Sequence, residues 1–188
     1  MTHFIEPHNP NWATEFSRVK KALSEVLHGY PIDLQHIGST AIPDIVAKPI
    51  LDIDIIIEDK LHLDGISERL GEVGYIYKGE QGIPGRFVFR QTSPRTPITG
   101  NDKEWQKHHL YVCFSDSLAL KNHILFRDTL LNNQQLAQEY SQLKANLIKE
   151  KTMTKERYNQ QKTAFVLSIL SMGDFDENDL ITIKKQNI

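Results

Sequence analysis

The apolar positions of this chain change their period several times, and each change predicts an element. In "NPNWATEFSRVKKALSEVL", Trp12, Phe16, Val19, Leu23 and Val26 recur at steps of three and four, one face of a helix. Asn9 stands where an N-cap belongs, with Pro10 at the first helical position. After Gly29-Tyr30-Pro31 the period shortens: "IDLQHI" reads as a strand that Gly38 stops, and "ILDIDIII" as a stronger, β-branched strand. "LHLDGISERLGEVG" returns to helical spacing, and "YIYKG", "GRFVFRQ" and "HHLYVCF" read as three more strands. The Pro- and Gly-containing "SPRTPITGNDKEWQK" between the last two is a loop. "SLALKNHILFRDTLLNN", "QQLAQEYSQLKANLIKEK" and "KERYNQQKTAFVLSILSM" then predict three helices, the second with Leu136, Tyr140, Leu143 and Leu147 on one face. Residues 176–188, within "DFDENDLITIKKQNI", show no convincing period and are expected to be a loosely attached tail to a single domain of residues 1–175. This order predicts an α+β fold: a small mixed β-sheet flanked by helices, with a helical C-terminal part.

Composition narrows the classes. The chain has 188 residues, 39% hydrophobic and 24% charged, which suits one domain with a full core. A net charge of -2 supplies no push toward nucleic acid or an anionic membrane. Cys113 is the single cysteine, so no internal disulfide forms, in keeping with a reducing compartment. The start "MTHFIEPHNPNW" lacks the apolar core of a signal peptide, and the apolar runs are too short to cross a bilayer. The expectation is a cytoplasmic protein without a membrane partner.

Asp52 and Asp54 interrupt the most apolar strand of the chain. Residues two apart on a strand share a face, so the carboxylates stand roughly 6–7 Å apart at their Cα atoms while Leu51, Ile53, Ile55 and Ile57 point the other way. Paired anions in an apolar setting call for a positive partner, and Mg²⁺ takes carboxylates and substrate phosphates as ligands. The plain alternative is a solvated strand face. Upstream, Gly38-Ser39 follows a strand directly, with Thr40 next. A glycine lets phosphate oxygens approach the backbone, a helix start presents free N–H groups, and the Ser hydroxyl adds a donor; alone, the same dipeptide is a common turn. Strand, Gly-Ser, short helix and a strand bearing D-x-D together form an ordered phosphate cradle with metal carboxylates.

That arrangement resembles the nucleotidyltransferase superfamily that contains the palm of DNA polymerase β. More closely, "HIGSTAIPDIVAKPILDIDIII", "RFVFR", "HHLYVC", "LFRDTLL", "EYSQLK" and "RYNQQKTAFV" resemble the GrpB family, also labelled UPF0157, from about Glu6 to Leu170. The resemblance implies a small mixed sheet with flanking helices and an additional helical part. It implies transfer of a nucleoside monophosphate from a nucleoside triphosphate to a small hydroxyl- or amine-bearing acceptor, with Mg²⁺ or Mn²⁺. Gly38 and Ser39 would hold the triphosphate, and Asp52 and Asp54 the metal. Related domains also occur fused to dephospho-CoA kinase, but no G-x-x-x-x-G-K-[ST] loop is present here, so kinase activity is not expected.

The pattern departs from the superfamily at one point. Its enzymes show a third acid on a later strand, and neither "GRFVFRQ" nor "HHLYVCF" contains one. His109 is the nearest substitute as base or metal ligand, with a role-free histidine at a strand entrance as the alternative; Glu80 and Glu104 fall in turns. Lys48, Arg86, Arg90 and Arg127 are candidate phosphate ligands, Arg86 and Arg90 because they alternate with Phe87 and Phe89 and so share a face. Solvated side chains or an Arg-Asp pair holding a helix are the plain alternative for each. His108, His109 and His123 lack a compact zinc spacing. The sequence therefore points to a metal-dependent nucleotidyltransferase, with a catalytically silent nucleotide- or phosphometabolite-binding domain and a metal-dependent phosphohydrolase as alternatives.

Overall fold

The isoleucine-rich run becomes β2 (Leu51–Ile57), an interior strand. In the computed structural model, which describes residues 5–100, 103–150 and 152–186, β2 lies between β1 (Ile32–Ile37) and β5 (His108–Phe114). β4 (Arg86–Gln91) and β3 (Tyr75–Tyr77) follow, giving the order β1-β2-β5-β4-β3. Only β2 and β5 pair in parallel; the other three pairings are antiparallel. This is a mixed five-stranded sheet in an α+β fold, as the alternation of periods predicts.

The two faces of the sheet differ in chemistry. Leu51, Ile53, Ile55 and Ile57 are fully buried with Leu110 and Val112 of β5 and Phe87 and Phe89 of β4. They pack against Trp12, Val19 and Leu23 of α1 (Asn11–Val26) and Ile66 and Leu70 of α2 (His62–Glu72). Each such fully buried aliphatic side chain contributes roughly 1.5–3 kcal/mol relative to exposure. Alternation puts Asp52 and Asp54 on the opposite face, and the register extends it: Ile37, Asp52, His109 and Arg90 form one row across four strands. Gln35, Asp54, Tyr111 and Val88 form the next row.

Helices α3 (Leu118–Asn132), α4 (Gln134–Leu147) and α5 (Lys155–Leu170) build a second core. Phe126, Leu130, Ala137, Tyr140 and Ile169 enclose Ile42 and Ile45, which follow the Gly-Ser turn. The helical part is thereby clamped onto the segment between β1 and β2. Ser117, Asn133 and Thr154 cap these helices through side-chain oxygens.

Two local readings change. α1 begins one residue later than Pro10, and Asn9 Oδ1 accepts from the Asn11 N–H at 3.0 Å. The segment read as a loose tail contains α6 (Glu177–Gln186), which packs on α5 and buries Ile183. Its signal is electrostatic more than periodic: Glu177 and Asp179 in the first turn and Lys184 and Lys185 in the last match the helix dipole, while its apolar stripe is short.

Candidate functional site

Gly38 ends β1 with φ 70°, a conformation that L side chains rarely adopt. A Cβ there would collide with the Asp52 carboxylate, which lies against the Gly38 backbone. Ser39–Ala41 form a single 3₁₀ turn and not the longer helix suggested by "STAIPDIVAK". Thr40 is buried, and its Oγ1 sits 3.0 Å from His36 Nε2, so it fastens the turn from within. Burial lowers the His36 pKa to about 4, which keeps that ring neutral.

Two adjoining cavities, of about 450 and 270 Å³, lie between the sheet and the helical part. Asp52 and Lys162 line both. The larger is bounded by Gly38, Arg86, Tyr111 and His123, with Asn159 of α5 and Gln186 of α6. The smaller is bounded by Ser39, Thr40, Lys48 and His109, with Lys144 of α4 and Tyr158 of α5.

The carboxylates are held by different histidines. His109, directly opposite Asp52 in the parallel register, places Nδ1 2.9 Å from Asp52 Oδ1. A carboxylate only accepts, so Nδ1 carries the proton and His109 Nε2 is left as the basic nitrogen. Asp54 is fully buried and accepts from His123 Nδ1 of α3 at 2.8 Å, while its Oδ1 lacks a hydrogen-bond partner among the described residues. The fold also brings Cys113 beside this pair: one ligand atom each from Asp54, Cys113 and His123 lie within 4.8 Å of one another, a grouping invisible in the linear spacing. Burial, then the Asp54 charge, pushes the Cys113 thiol up, so it stays a neutral neighbour in this state.

Two lysines outside the candidates that the sequence offers line the cavities as well. Lys144 is buried; its Nζ donates to Ser39 Oγ at 3.0 Å and to the Val46 carbonyl, and lies 4.3 Å from the Tyr140 ring centre. Burial and then Lys162 lower its pKa to about 7. The Lys162 pKa is raised, first by Tyr140 and further by Tyr158 and Asp52, against the opposing effect of burial. The signal that marks both is Tyr-x-x-x-Lys on consecutive helices, Tyr140 to Lys144 and Tyr158 to Lys162, which sets a lysine one turn beyond an aromatic on a half-buried face.

The remaining candidates divide. Lys48 reaches the smaller cavity, 5.8 Å from the Tyr158 ring centre. Arg86 reaches the larger one, its guanidinium 4.8 Å from the Tyr111 ring centre. Arg90 lies one strand beyond His109, outside both cavities. Arg127 is turned away from both: it donates to Gln35 Oε1 at 2.7 Å and the His36 carbonyl at 3.1 Å, and pairs with Asp128. Glu80 caps the Gly85 N–H, and Glu104 lines neither cavity.

The model of the GrpB protein family matches residues 2–172. The chain belongs to the GrpB family. A curated family relative, the glutamate-rich protein GrpB of Alkalihalophilus pseudofirmus, is 33% identical over 165 residues, 87% of this chain and 91% of the relative. The UPF0157 protein YqkA of Bacillus subtilis is also 33% identical, over 85% of this chain but 43% of its own length, so this chain spans less than half of that relative. The crystal structure of the conserved protein GrpB from Enterococcus faecalis superposes with a TM-score of 0.71 at 27% identity, covering 97% of this chain and 98% of that one. The Cid1 poly(U) polymerase in its MgGTP-bound form gives a TM-score of 0.59 at 16% identity, over 87% of this GrpB chain and 51% of Cid1. That likeness shows a nucleotidyltransferase-like fold. No helix among the described residues is long and apolar enough to cross a membrane.

Proposed function

We propose that this GrpB protein is a nucleotidyltransferase that moves a nucleoside monophosphate from a nucleoside triphosphate to a small acceptor. One observation carries the reading: Asp52 lies on both cavities with the Gly38-Ser39 turn against one side and His109, its strand neighbour, on the other. A phosphate cradle, an anionic anchor and a base converge there.

The residues fit a divalent cation. Asp52 reaches the cavities, and Asp54 offers a buried carboxylate oxygen with no protein partner among the described residues. Asp52 and Asp54 would hold Mg²⁺ or Mn²⁺, which when bound stabilises charge on the attacking and leaving oxygens. The chain's own groups do the rest. Ser39, Lys48, Lys144 and Lys162 bind the triphosphate through its oxygens. His109 Nε2 takes the acceptor's proton, with Asp52 orienting the ring. The acceptor oxygen bonds to the α-phosphorus, the bond from that phosphorus to the β-bridging oxygen breaks, and pyrophosphate departs.

The test is incubation of the native chain and Asp52→Asn with each of the four ribonucleoside triphosphates, Mg²⁺ or Mn²⁺ and a metabolite extract. Pyrophosphate and an adduct heavier by one nucleoside monophosphate, both lost in the variant, are expected. Orthophosphate without an adduct would identify a phosphohydrolase. Nucleotide binding without product would identify a silent binding domain, the reading that the enclosure of Asp54 favours.

A further inference from the structure

The open side of the sheet beyond His109 carries a groove of about 460 Å³ that shares Arg86 and Tyr111 with the larger cavity and His109 with the smaller, while Lys78, Arg90 and Lys107 line neither. Lys78, Arg86, Arg90 and Lys107 line it, with His109 and Tyr111, and no Asp or Glu does. None of these four cations has a salt-bridge partner among the described residues, and Arg86 Nε is buried without a hydrogen bond. Lys78, Arg90 and Lys107 thus put three positive charges into a concavity without a carboxylate lining, beside an Arg86 that also faces the Asp52 cavity, and together they attract an anion.

Resting on the nucleotidyl-transfer reading, we propose that this groove is the acceptor subsite and that the acceptor is a small phosphorylated molecule carrying a free hydroxyl. The register sets the length. Arg90 pairs with His109, and His109 with Asp52, so Arg90 and Asp52 stand two strand spacings apart, about 10 Å. A phosphate held by Arg90, Lys78 and Lys107 leaves the other end of a small metabolite at His109 Nε2. There its hydroxyl gives its proton to the imidazole, its oxygen bonds to the α-phosphorus of the nucleotide, and pyrophosphate leaves. The groove does not suit an RNA end. Phe89 is buried, and Arg86 lies over the Tyr111 ring, so neither gives an open platform on which a base stacks.

Glycerol 3-phosphate is the probe, titrated calorimetrically into the full chain, with glycerol and a five-nucleotide RNA as comparators and Mg-ATP in a separate arm. Glycerol 3-phosphate should bind and glycerol should not. The double variant Arg90→Ala with Lys78→Ala should weaken glycerol 3-phosphate at least tenfold while leaving Mg-ATP affinity within twofold; Arg90→Lys should recover part of the loss. Lys78 and Arg90 are exposed, and matching melting curves confirm that the variants are folded. Unchanged glycerol 3-phosphate affinity in the double variant overturns the proposal. An equal loss of Mg-ATP affinity overturns it by assigning the groove to the nucleotide. RNA binding tighter than the phosphomonoester through the same residues overturns the small-molecule class. Failure of Mg-ATP to bind the native chain refutes the transfer reading in its own arm, and with it the acceptor role, whatever the phosphate arm shows.

Discussion

Asp52 and Asp54 share one strand, one face and one kind of partner, yet they occupy different worlds. Asp52 accepts from His109 at 2.9 Å with side chains 30% and 52% exposed, and Asp54 accepts from His123 at 2.8 Å with side chains 0% and 20% exposed. His109 comes from the neighbouring strand and borders the smaller cavity; His123 comes from α3 and ties that helix to the sheet beside Cys113. The donor and acceptor chemistry is the same. Access separates them: the first pair keeps a ring nitrogen and a carboxylate oxygen within open reach of the cavities, whereas the second joins two layers around a fully buried carboxylate, one oxygen of which has no hydrogen bond among the described residues. Removing one member of a pair therefore has a different consequence in each place.

The sharpest way to break this contrast is to truncate the histidines separately. His109→Ala should lower turnover roughly 10²–10⁴-fold, the usual contribution of a general base, with Mg-nucleotide affinity and thermal stability nearly unchanged. His123→Ala removes the charge-bearing partner of the fully buried Asp54, leaving only the weak Cys113 thiol beside it, and should cost about 3–5 kcal/mol of stability. Pyrophosphate release and urea unfolding, measured on both variants, decide it. Equal losses of stability would erase the distinction between a working pair and a bracing pair.

Much of the sheet was legible because alternation is local. The period-two pattern of β2 assigns both its apolar face and its acidic face without any knowledge of neighbours. The turn at Gly38-Ser39 is legible because a glycine after a strand run is itself a local stop signal. What lay beyond reach is pairing at a distance: nothing near residue 52 says that residue 109 will stand beside it, since that parallel register spans more than fifty positions. Residue type alone marks His109 as a possible base, and the fold supplies its neighbour. Lys144 and Lys162 stayed hidden because a lysine on a helix is ordinarily solvated, and only the packing of α4 and α5 over the Gly-Ser turn brings them inward. Arg127 is a phosphate candidate by residue type alone, and in the fold it braces β1. α3 scatters apolar and polar residues around its whole circumference, with no single stripe, so its sequence does not reveal which side meets the cleft.

Lys144 sharpens the contrast, because it is as enclosed as Asp54 yet touches Ser39 of the Gly-Ser turn. Its pKa falls from 10.5 in the unfolded chain to about 7 in the fold, through burial and then Lys162. Below about pH 7 both states carry the proton, and the full cost of burying it weighs on the native state. Between pH 7 and 10.5 the unfolded chain binds more protons, so this group makes stability rise with pH. From pH 7 to 9 the native chain should gain about 2 kcal/mol relative to Lys144→Met, read as the difference between the two urea-unfolding profiles. Parallel profiles would mean that Lys144 is not perturbed. Proton uptake on adding Mg-ATP, followed in buffers of different ionisation enthalpy, should accompany binding if the lysine serves the triphosphate, and should vanish in Lys144→Met.

The smallest effect is expected at Arg127, and it tests whether bracing extends beyond the buried pair. Its guanidinium joins α3 to β1 through Gln35 Oε1 and the His36 carbonyl, one strand away from Asp54 in the same row as Gln35. The side chain is 15% exposed, and its pairing with Asp128 is local to the helix, where the partner carboxylate is well solvated. Truncation therefore removes two bonds across the layer and leaves acceptors that water can partly reach. Arg127→Ala should cost about 1–2 kcal/mol of stability, while Mg-ATP affinity stays within twofold of native. Arg127→Lys, which keeps the charge but not the planar fork, should recover only part of that stability. A tenfold loss of Mg-ATP affinity in Arg127→Ala, with unfolding unchanged, would return this residue to the nucleotide site and show that the bracing row ends at Asp54.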